Sequence, residues 1–374
     1  MFANPIELYS LITLTIIAAV QLFYYWYFFA RLWWYKPKPV SSTRAVAVSI
    51  IICARDEAKN LLQNLPGILA QAYPYTHELV IVNDNSFDDT QYILEEFKKT
   101  YKYINVIQLS EQAKFVQGKK FPLSVGIKSS KYEILLLTDA DCTPATELWL
   151  QSMQQAFTPE TEIVLGYGAY RKQKGLLNKI IRFETLHTAM QYLSYSLAGI
   201  TYMGVGRNLA YKKGLFTAHK GFTAHHHIPS GDDDLFVNAA ATPYNTAINI
   251  APESFTYSNP KTTWKAWITQ KLRHISTSKH YHSRHKILLG LYTMSQLLIY
   301  PALIIALLLS THYYIPLAIY GLRTLSMVMV WCAAMHKLHE RDLKPWCIVF
   351  DVWLSIYFLI FAPALLKKTK SGWN

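Results

Sequence analysis

Glu133-Ile134-Leu135-Leu136-Leu137-Thr138-Asp139-Ala140-Asp141 is the stretch that decides the fold. A short apolar run with polar ends reads as a strand buried on both faces of a sheet. It stops on two carboxylates one residue apart. Such a pair at a strand end can hold one divalent cation, and hard oxygen donors suit Mg²⁺ or Mn²⁺. An Asp-x-Asp alone recurs in many turns. Its position directly after a buried strand makes it a metal candidate.

Outward from this strand the chain alternates strand and helix. The β-branched run Ala45–Cys53 reads as a first strand, Glu57–Gln71 as a helix, and Glu78–Val82 as a second strand. The turn-rich Asn83-Asp84-Asn85-Ser86 follows. Asp88 or Asp89 then caps a helix running to about Lys102. Ile104–Leu109 is a third strand, Lys119–Ser129 a short helix, and Glu133–Leu137 the fourth strand. This order predicts an α/β fold, a mostly parallel Rossmann-like sheet covered by helices. Ligands of such sheets bind beyond the carboxyl ends of the strands. The site candidates are therefore Ala54-Arg55-Asp56-Glu57, Asn83-Asp84-Asn85 and Asp139-Ala140-Asp141.

Two further groups stand out. Gly231-Asp232-Asp233-Asp234-Leu235 sets three acids side by side. Helix capping accounts for one of them; another could serve as a general base. Gln270, Arg273 and His274 share one face of a helix, although a basic amphipathic stretch beside a membrane explains them equally well. His225-His226-His227 is read as an acceptor-side loop rather than a metal site, because adjacent histidines point in different directions.

The ends of the chain are apolar. Ile6–Phe29 is long enough to cross a bilayer. It ends in aromatic residues followed by Arg31 and Lys36, a pattern that sends the chain inward. The run is too long for a cleaved signal peptide. Three more spans are expected near Ile287–Ser310, Tyr314–Met335 and Trp346–Leu366. Three crossings would leave Lys367, Lys368 and Lys370 outside, against the positive-inside rule, so one span is expected to be re-entrant or interfacial. Arg323 and Asp351, inside these spans, are functional candidates by default, and the favoured reading is structural: they neutralise each other or snorkel. The net charge of +13 fits basic loops flanking membrane spans, and no basic stripe with interleaved aromatics marks nucleic acid. The four cysteines have neither metal-ligand nor Cys-x-x-Cys spacing. The expected division is a transmembrane helix in 1–36, a cytoplasmic catalytic domain in 37–285 and C-terminal transmembrane helices in 286–374.

Seven segments together resemble family 2 glycosyltransferases. Val48–Glu57 looks like their opening strand, and Val82-Asn83-Asp84-Asn85-Ser86-Phe87-Asp88-Asp89-Thr90 like their nucleotide loop. Gly118–Ile127 is similar to their Gly-Lys segment, and Asp139-Ala140-Asp141 stands where their metal motif belongs. Gly206-Arg207-Asn208-Leu209-Ala210-Tyr211 resembles the segment before their acceptor site. Gly231-Asp232-Asp233 resembles their base motif, and Gln270–His274 their Gln-x-x-Arg-Trp motif.

The resemblance implies a GT-A fold and an inverting, single-displacement transfer from a nucleotide sugar, a UDP- or GDP-sugar, with Mg²⁺ or Mn²⁺. Ala54, Arg55, Glu57 and Asp84 would cradle the nucleoside, with Lys119 near it or the diphosphate. Asp141 would ligate the metal, and Asp139 would lie beside the ribose or metal. Asp233 would be the base, or Asp232 if the register slips. Arg273 would steady the diphosphate, with Gln270 beside it. The chain departs from the family pattern at Asn83, which stands for an Asp, and at His274, which stands for the Trp. The expected acceptor is a lipid or lipid-linked sugar at the cytoplasmic face of the inner membrane. The alternatives are a polysaccharide synthase and a non-enzymatic transporter or receptor.

Overall fold

The computed structural model describes residues 5–37, 46–110, 118–228 and 230–365. Ala45, Leu366 and the basic residues Lys367, Lys368 and Lys370 lie outside them. The chain opens with α1 (Pro5–Phe23), a π-helical stretch (Tyr24–Phe29) and α2 (Ala30–Trp34), stacked into one continuous helix of 30 residues.

The α/β domain follows: β1 (Val48–Ala54), α3 (Ala58–Leu69), β2 (His77–Asp84), α4 (Thr90–Thr100), β3 (Ile104–Leu109), α5 (Lys120–Ser129) and β4 (Ile134–Leu137). These four strands are parallel, in the order β3-β2-β1-β4. Elements sit within three residues of their expected bounds. Strand order reverses between β1 and β4, which opens a crevice at their carboxyl ends. The sheet is buried by alternation. Ile51, Val80, Val82, Leu135 and Leu137 face one core, while Ile50, Ile52, Leu79, Ile81 and Leu136 face the other. Gly126 lets α5 lie close on the sheet: a Cβ there would meet Ile51 and Val82 side chains at 3.0 Å.

The second half breaks the parallel pattern. It comprises β5 (Cys142–Pro144), α6 (Trp149–Gln155), β6 (Ile163–Leu165), β7 (Gly168–Tyr170), α7 (Leu176–Leu197), β8 (Leu209–Lys212) and α8 (Lys213–Ala218). Then come α9 (Asp234–Ala240), β9 (Thr246–Ile248) and β10 (Thr256–Ser258). Strand β8 inserts antiparallel between β4 and β6 and completes a seven-stranded sheet. Strands β5, β10 and β7 form a small second sheet.

After α10 (Trp264–Ile275) come α11 (Ser283–Leu309), α12 (Tyr314–Lys337) and α13 (Cys347–Phe361). Among the described residues, four helices are long and apolar enough to cross a membrane: the N-terminal one, α11, α12 and the segment Arg341–Phe361. Glu7 at the start of α1 accepts hydrogen bonds from Ser310 Oγ (3.0 Å) and Thr311 N (2.9 Å). The two helices are thus antiparallel. Arg323 and Asp351 do pair, and the pair is wrapped in polar side chains. Gln296 accepts from Arg323 (2.9 Å) and donates to Asp351 (2.9 Å), Tyr300 donates to Asp351 (2.7 Å), and Gln21 accepts from Arg323.

Helix α13 differs from α11 and α12. Its start lies against α7, with Lys179 over the Trp346 ring (4.1 Å) and Phe350 stacked on Phe183 (4.2 Å). Its end lies against α10, with Phe361 edge-on to Trp267 (5.9 Å), and the turn Ala362–Leu365 also touches α10. Both ends therefore contact elements on the α/β side of the molecule.

Candidate active site

The strand-end loops are tied together before any ligand arrives. Asp88 accepts from Ala58 N (3.0 Å) and Thr90 N (3.0 Å), so one carboxylate serves the first turns of both α3 and α4. Asp89 occupies the cap position of α4 but makes no capping bond. Asp56 adopts a left-handed conformation (φ 54°) and accepts from Phe87 N (2.7 Å). Asn83 is buried, donating to Gln108 (2.8 Å) and accepting from Ser86 Oγ (2.5 Å), so it braces this loop from within. Asp84 is buried at the carboxyl end of β2, and Ala54 at that of β1. Arg55 and Glu57 are half-buried, and Glu57 lies in electrostatic range of Asp141 and Asp139.

At the end of β4, Asp139 forms an ion pair with Lys119. Burial opposes ionisation of Asp139, but the Lys119 ammonium outweighs it and holds the carboxyl below its ordinary value. Asp141 moves the other way, raised by burial and by the neighbouring Asp139 charge. Glu57 is raised by burial, with Asp141 and Asp139 adding to the effect. Three carboxylates thus crowd one corner with one half-buried ammonium facing them. The ligand atoms of Asp139, Asp141 and Cys142 lie within 4.8 Å of one another, a donor set that fits a divalent cation.

Across the crevice, Asp233 accepts from Gly206 N (2.7 Å) and Asp234 N (2.8 Å). Burial pushes its carboxyl up to about 7, with the Asp232 and Asp234 charges adding to the effect. Asp234 is buried and structural, accepting from Tyr281 (2.7 Å) and Thr277. The three acids therefore divide into a braced pair and Asp232, which faces Lys119 electrostatically. The His225–His227 loop is anchored by Lys120, whose Nζ donates to the carbonyls of His225 (2.7 Å) and Ile228 (3.0 Å). Burial lowers this amine to about 8.

Helix α10 brings Gln270 to Tyr170 OH (3.3 Å). Arg273 and His274 are exposed, with Arg273 in electrostatic range of Asp139. Arg207 is the residue that sequence reasoning passed over. Its guanidinium lies over the Tyr170 ring (4.3 Å), donates to Ser258 (2.9 Å) and faces Asp139 and Asp141. It arrives by way of β8, whose antiparallel insertion beside β4 follows from no local sequence period. Its place in the quoted Gly206–Tyr211 segment was the available signal.

Residues 49–219, which carry β1 through β8, match the family described as Glycosyl transferase family 2. Three curated relatives are similar over part of their length. A probable glycosyltransferase, YdaM of Bacillus subtilis (strain 168), is 25% identical over 60% of this chain and 54% of that protein. The poly-beta-1,6-N-acetyl-D-glucosamine synthase of Staphylococcus epidermidis is 28% identical over 37% of this chain and 32% of that protein. The beta-monoglucosyldiacylglycerol synthase of Nostoc sp. (strain PCC 7120) is 32% identical over 28% of this chain and 22% of that protein. The chain spans about half or less of these relatives. Among solved structures, the mannosyltransferase PcManGT from Pyrobaculum calidifontis, in complex with GDP-Man and Mn²⁺, superposes with a TM-score of 0.57. It is 20% identical, with 93% of this chain and 99% of that one covered, and it shares the GT-A fold. Over residues 49–219, which hold the Asp139–Asp141 wall of the crevice, the chain is a family 2 glycosyltransferase in sequence.

Proposed function

We propose that this chain transfers a sugar from a nucleotide-sugar donor to a lipid or lipid-linked acceptor at the membrane surface, with inversion at the anomeric carbon. The observation that carries the reading is the two-sided crevice. Asp139, Asp141, Glu57 and Lys119 gather on one wall, and Asp233, raised to about 7, stands on the other. Arg55, Asp84 and Ala54, at the ends of β1 and β2, receive the nucleoside. Lys119, Arg207 and Arg273 face the diphosphate, with Gln270 holding Tyr170 beneath Arg207.

Asp141 and Asp139 are the residues that would hold Mg²⁺ or Mn²⁺, which neutralises charge on the departing diphosphate. Asp233 takes the proton of the acceptor hydroxyl. Its two backbone donors, Gly206 N and Asp234 N, fix the carboxylate orientation and leave its other lone pairs for the acceptor. The hydroxyl oxygen then attacks the anomeric carbon from the face opposite the nucleotide.

The lipid reading is supported by α10. The helix that carries Gln270 and Arg273 exposes Trp264, Ile268 and Leu272 along one side, the spacing of an interfacial amphipathic stripe. It also packs on α13 through Trp267. The relative named for glucosyldiacylglycerol synthesis fits this reading, and the one named for a polysaccharide fits the alternative. We assign 37–285 to the cytoplasmic face of the cell's inner membrane, with membrane helices in 1–36 and 286–374.

Incubating membranes with a panel of radiolabelled nucleotide sugars, then extracting lipid, tests the proposal. One sugar added to an extractable lipid supports it, and a long water-soluble product favours a polysaccharide synthase. Turnover unaffected by Asp141→Asn and Asp233→Asn would remove the enzyme reading.

A further inference from the structure

We propose that Cys142 is a third protein donor to the divalent ion held by Asp139 and Asp141, and that it biases the site toward thiophilic ions over Mg²⁺. The inference rests on the metal reading above. Cys142 N donates to the Asp139 carbonyl (3.1 Å), closing a tight turn over Asp139–Cys142. That turn folds the thiol back toward the carboxylates, with Cys142 Sγ 3.3 Å from Asp141 Oδ1. All three ligand atoms fall within 4.8 Å of one another.

The separation is chemically apt. An oxygen at about 2.1 Å and a sulfur at about 2.3 Å from one ion lie about 3.1 Å apart at right angles and about 3.6 Å apart at the tetrahedral angle, and the observed 3.3 Å falls between. The backbone is fixed on the far side too, since Cys142 pairs with Ser258 in the β5–β10 ladder. The thiol is fully buried while the two acids are half-buried, so the sulfur forms the inner wall of the site and the carboxylates its mouth. A sulfur donor suits Zn²⁺, Co²⁺ or Cd²⁺ better than Mg²⁺, which prefers an all-oxygen shell. Coordination releases the thiol proton to solvent and leaves the thiolate on the ion. The oxygen-only reading of Asp139-Ala140-Asp141 thus becomes a mixed set, with Mn²⁺ tolerated through its oxygen ligands.

The test is a Co²⁺ titration of the purified full-length chain in detergent, followed by absorption spectroscopy. A near-ultraviolet sulfur-to-Co²⁺ charge-transfer band is expected in the wild type and in Cys53→Ser, and is expected to vanish in Cys142→Ser. In Cys142→Ser the preference for Zn²⁺ over Mg²⁺, read by competition, is expected to fall about tenfold or more. Co²⁺ binding to the wild type without the band, or a band that survives in Cys142→Ser, overturns the inference while leaving the metal reading intact. Equal Co²⁺ affinity in the wild type and Asp141→Asn overturns the metal reading itself. The wild-type band does not depend on any variant folding, so the proposal stays open to refutation if Cys142→Ser is unstable.

Discussion

At the scale of single residues, the base is the most testable assignment. As the proposed base, Asp233 would work only when ionised, and its carboxyl is raised to about 7 by burial and then by Asp232 and Asp234. Transfer under limiting acceptor should therefore rise as pH climbs through about 7. Removing the Asp232 charge with Asp232→Asn should move that limb to lower pH while activity persists. Asp233→Asn should cost about 10²–10⁴-fold in rate. If Asp232→Asn is the dead variant instead, the roles are reversed. The same raised carboxyl has a stability consequence. The folded state holds this proton more tightly than the unfolded chain, so the stabilisation is complete below about 4 and is lost as pH rises through about 7. Asp233→Asn should accordingly melt higher than the wild type at pH 8 and close to it at pH 4. Asp139 and Asp141 were legible because they directly follow a buried strand, and Asp232-Asp233-Asp234 because a helix cap accounts for only one of three adjacent acids. Arg207 and Cys142 were not, since an arginine before a strand and a cysteine after an Asp carry no spacing of their own. Only the β8 insertion and the Asp139–Cys142 turn give them their positions.

Among elements, the donor wall depends on one exposed carboxylate. Asp88 serves the first turns of α3 and α4 together, which holds the loops after β1 and β2 at a fixed separation. Asp88→Ala should cost about 1–2 kcal/mol of stability, the typical worth of a helix cap. It should also raise the KM for the nucleotide sugar more than it lowers kcat, since it touches the nucleoside side and not the base. Asp89→Ala, which loses no capping bond, should do neither; equal losses in the two variants would discredit the staple. Elements of the parallel half were readable because each buried strand and amphipathic helix is a contiguous run with its own period. In the second half, β5, β6, β7, β9 and β10 are three residues each, too short to show alternation. Their pairing is set by tertiary contacts such as buried Asn208, which donates to Tyr167 O (3.0 Å) and Ser254 O (2.6 Å).

For the whole molecule, the question is how the membrane helices hold the domain. Arg182 of α7 donates to Glu340 (2.9 Å) and Asp342 (2.9 Å) just beyond α12, which locks the α/β domain to the helix ends. Deeper in, the Arg323–Asp351 pair joins α12 to α13, with Gln21 and Gln296 drawing in α1 and α11. Arg323→Met leaves a buried Asp351 without its cation and should cost about 3–5 kcal/mol, read as a lower melting point in detergent. Adding Asp351→Leu should recover much of that loss, because replacing both charges by apolar groups removes the stranded one. This network anchors α13 at its middle while both its ends turn to the α/β side. At 21 residues the segment Arg341–Phe361 is long enough to cross, but both its ends meet elements of the α/β side. Helix α13 is therefore expected to dip in and return. That returns the turn Ala362–Leu365 to the side of the α/β domain, as the positive-inside rule expects for the basic sequence that follows it. Single cysteines in a cysteine-free background report this directly. Pro363→Cys should react with a membrane-impermeant maleimide from the same side as Tyr244→Cys in the domain. Tyr313→Cys, in the loop between α11 and α12, should react from the opposite side. Labelling of Pro363→Cys together with Tyr313→Cys would make α13 a third crossing.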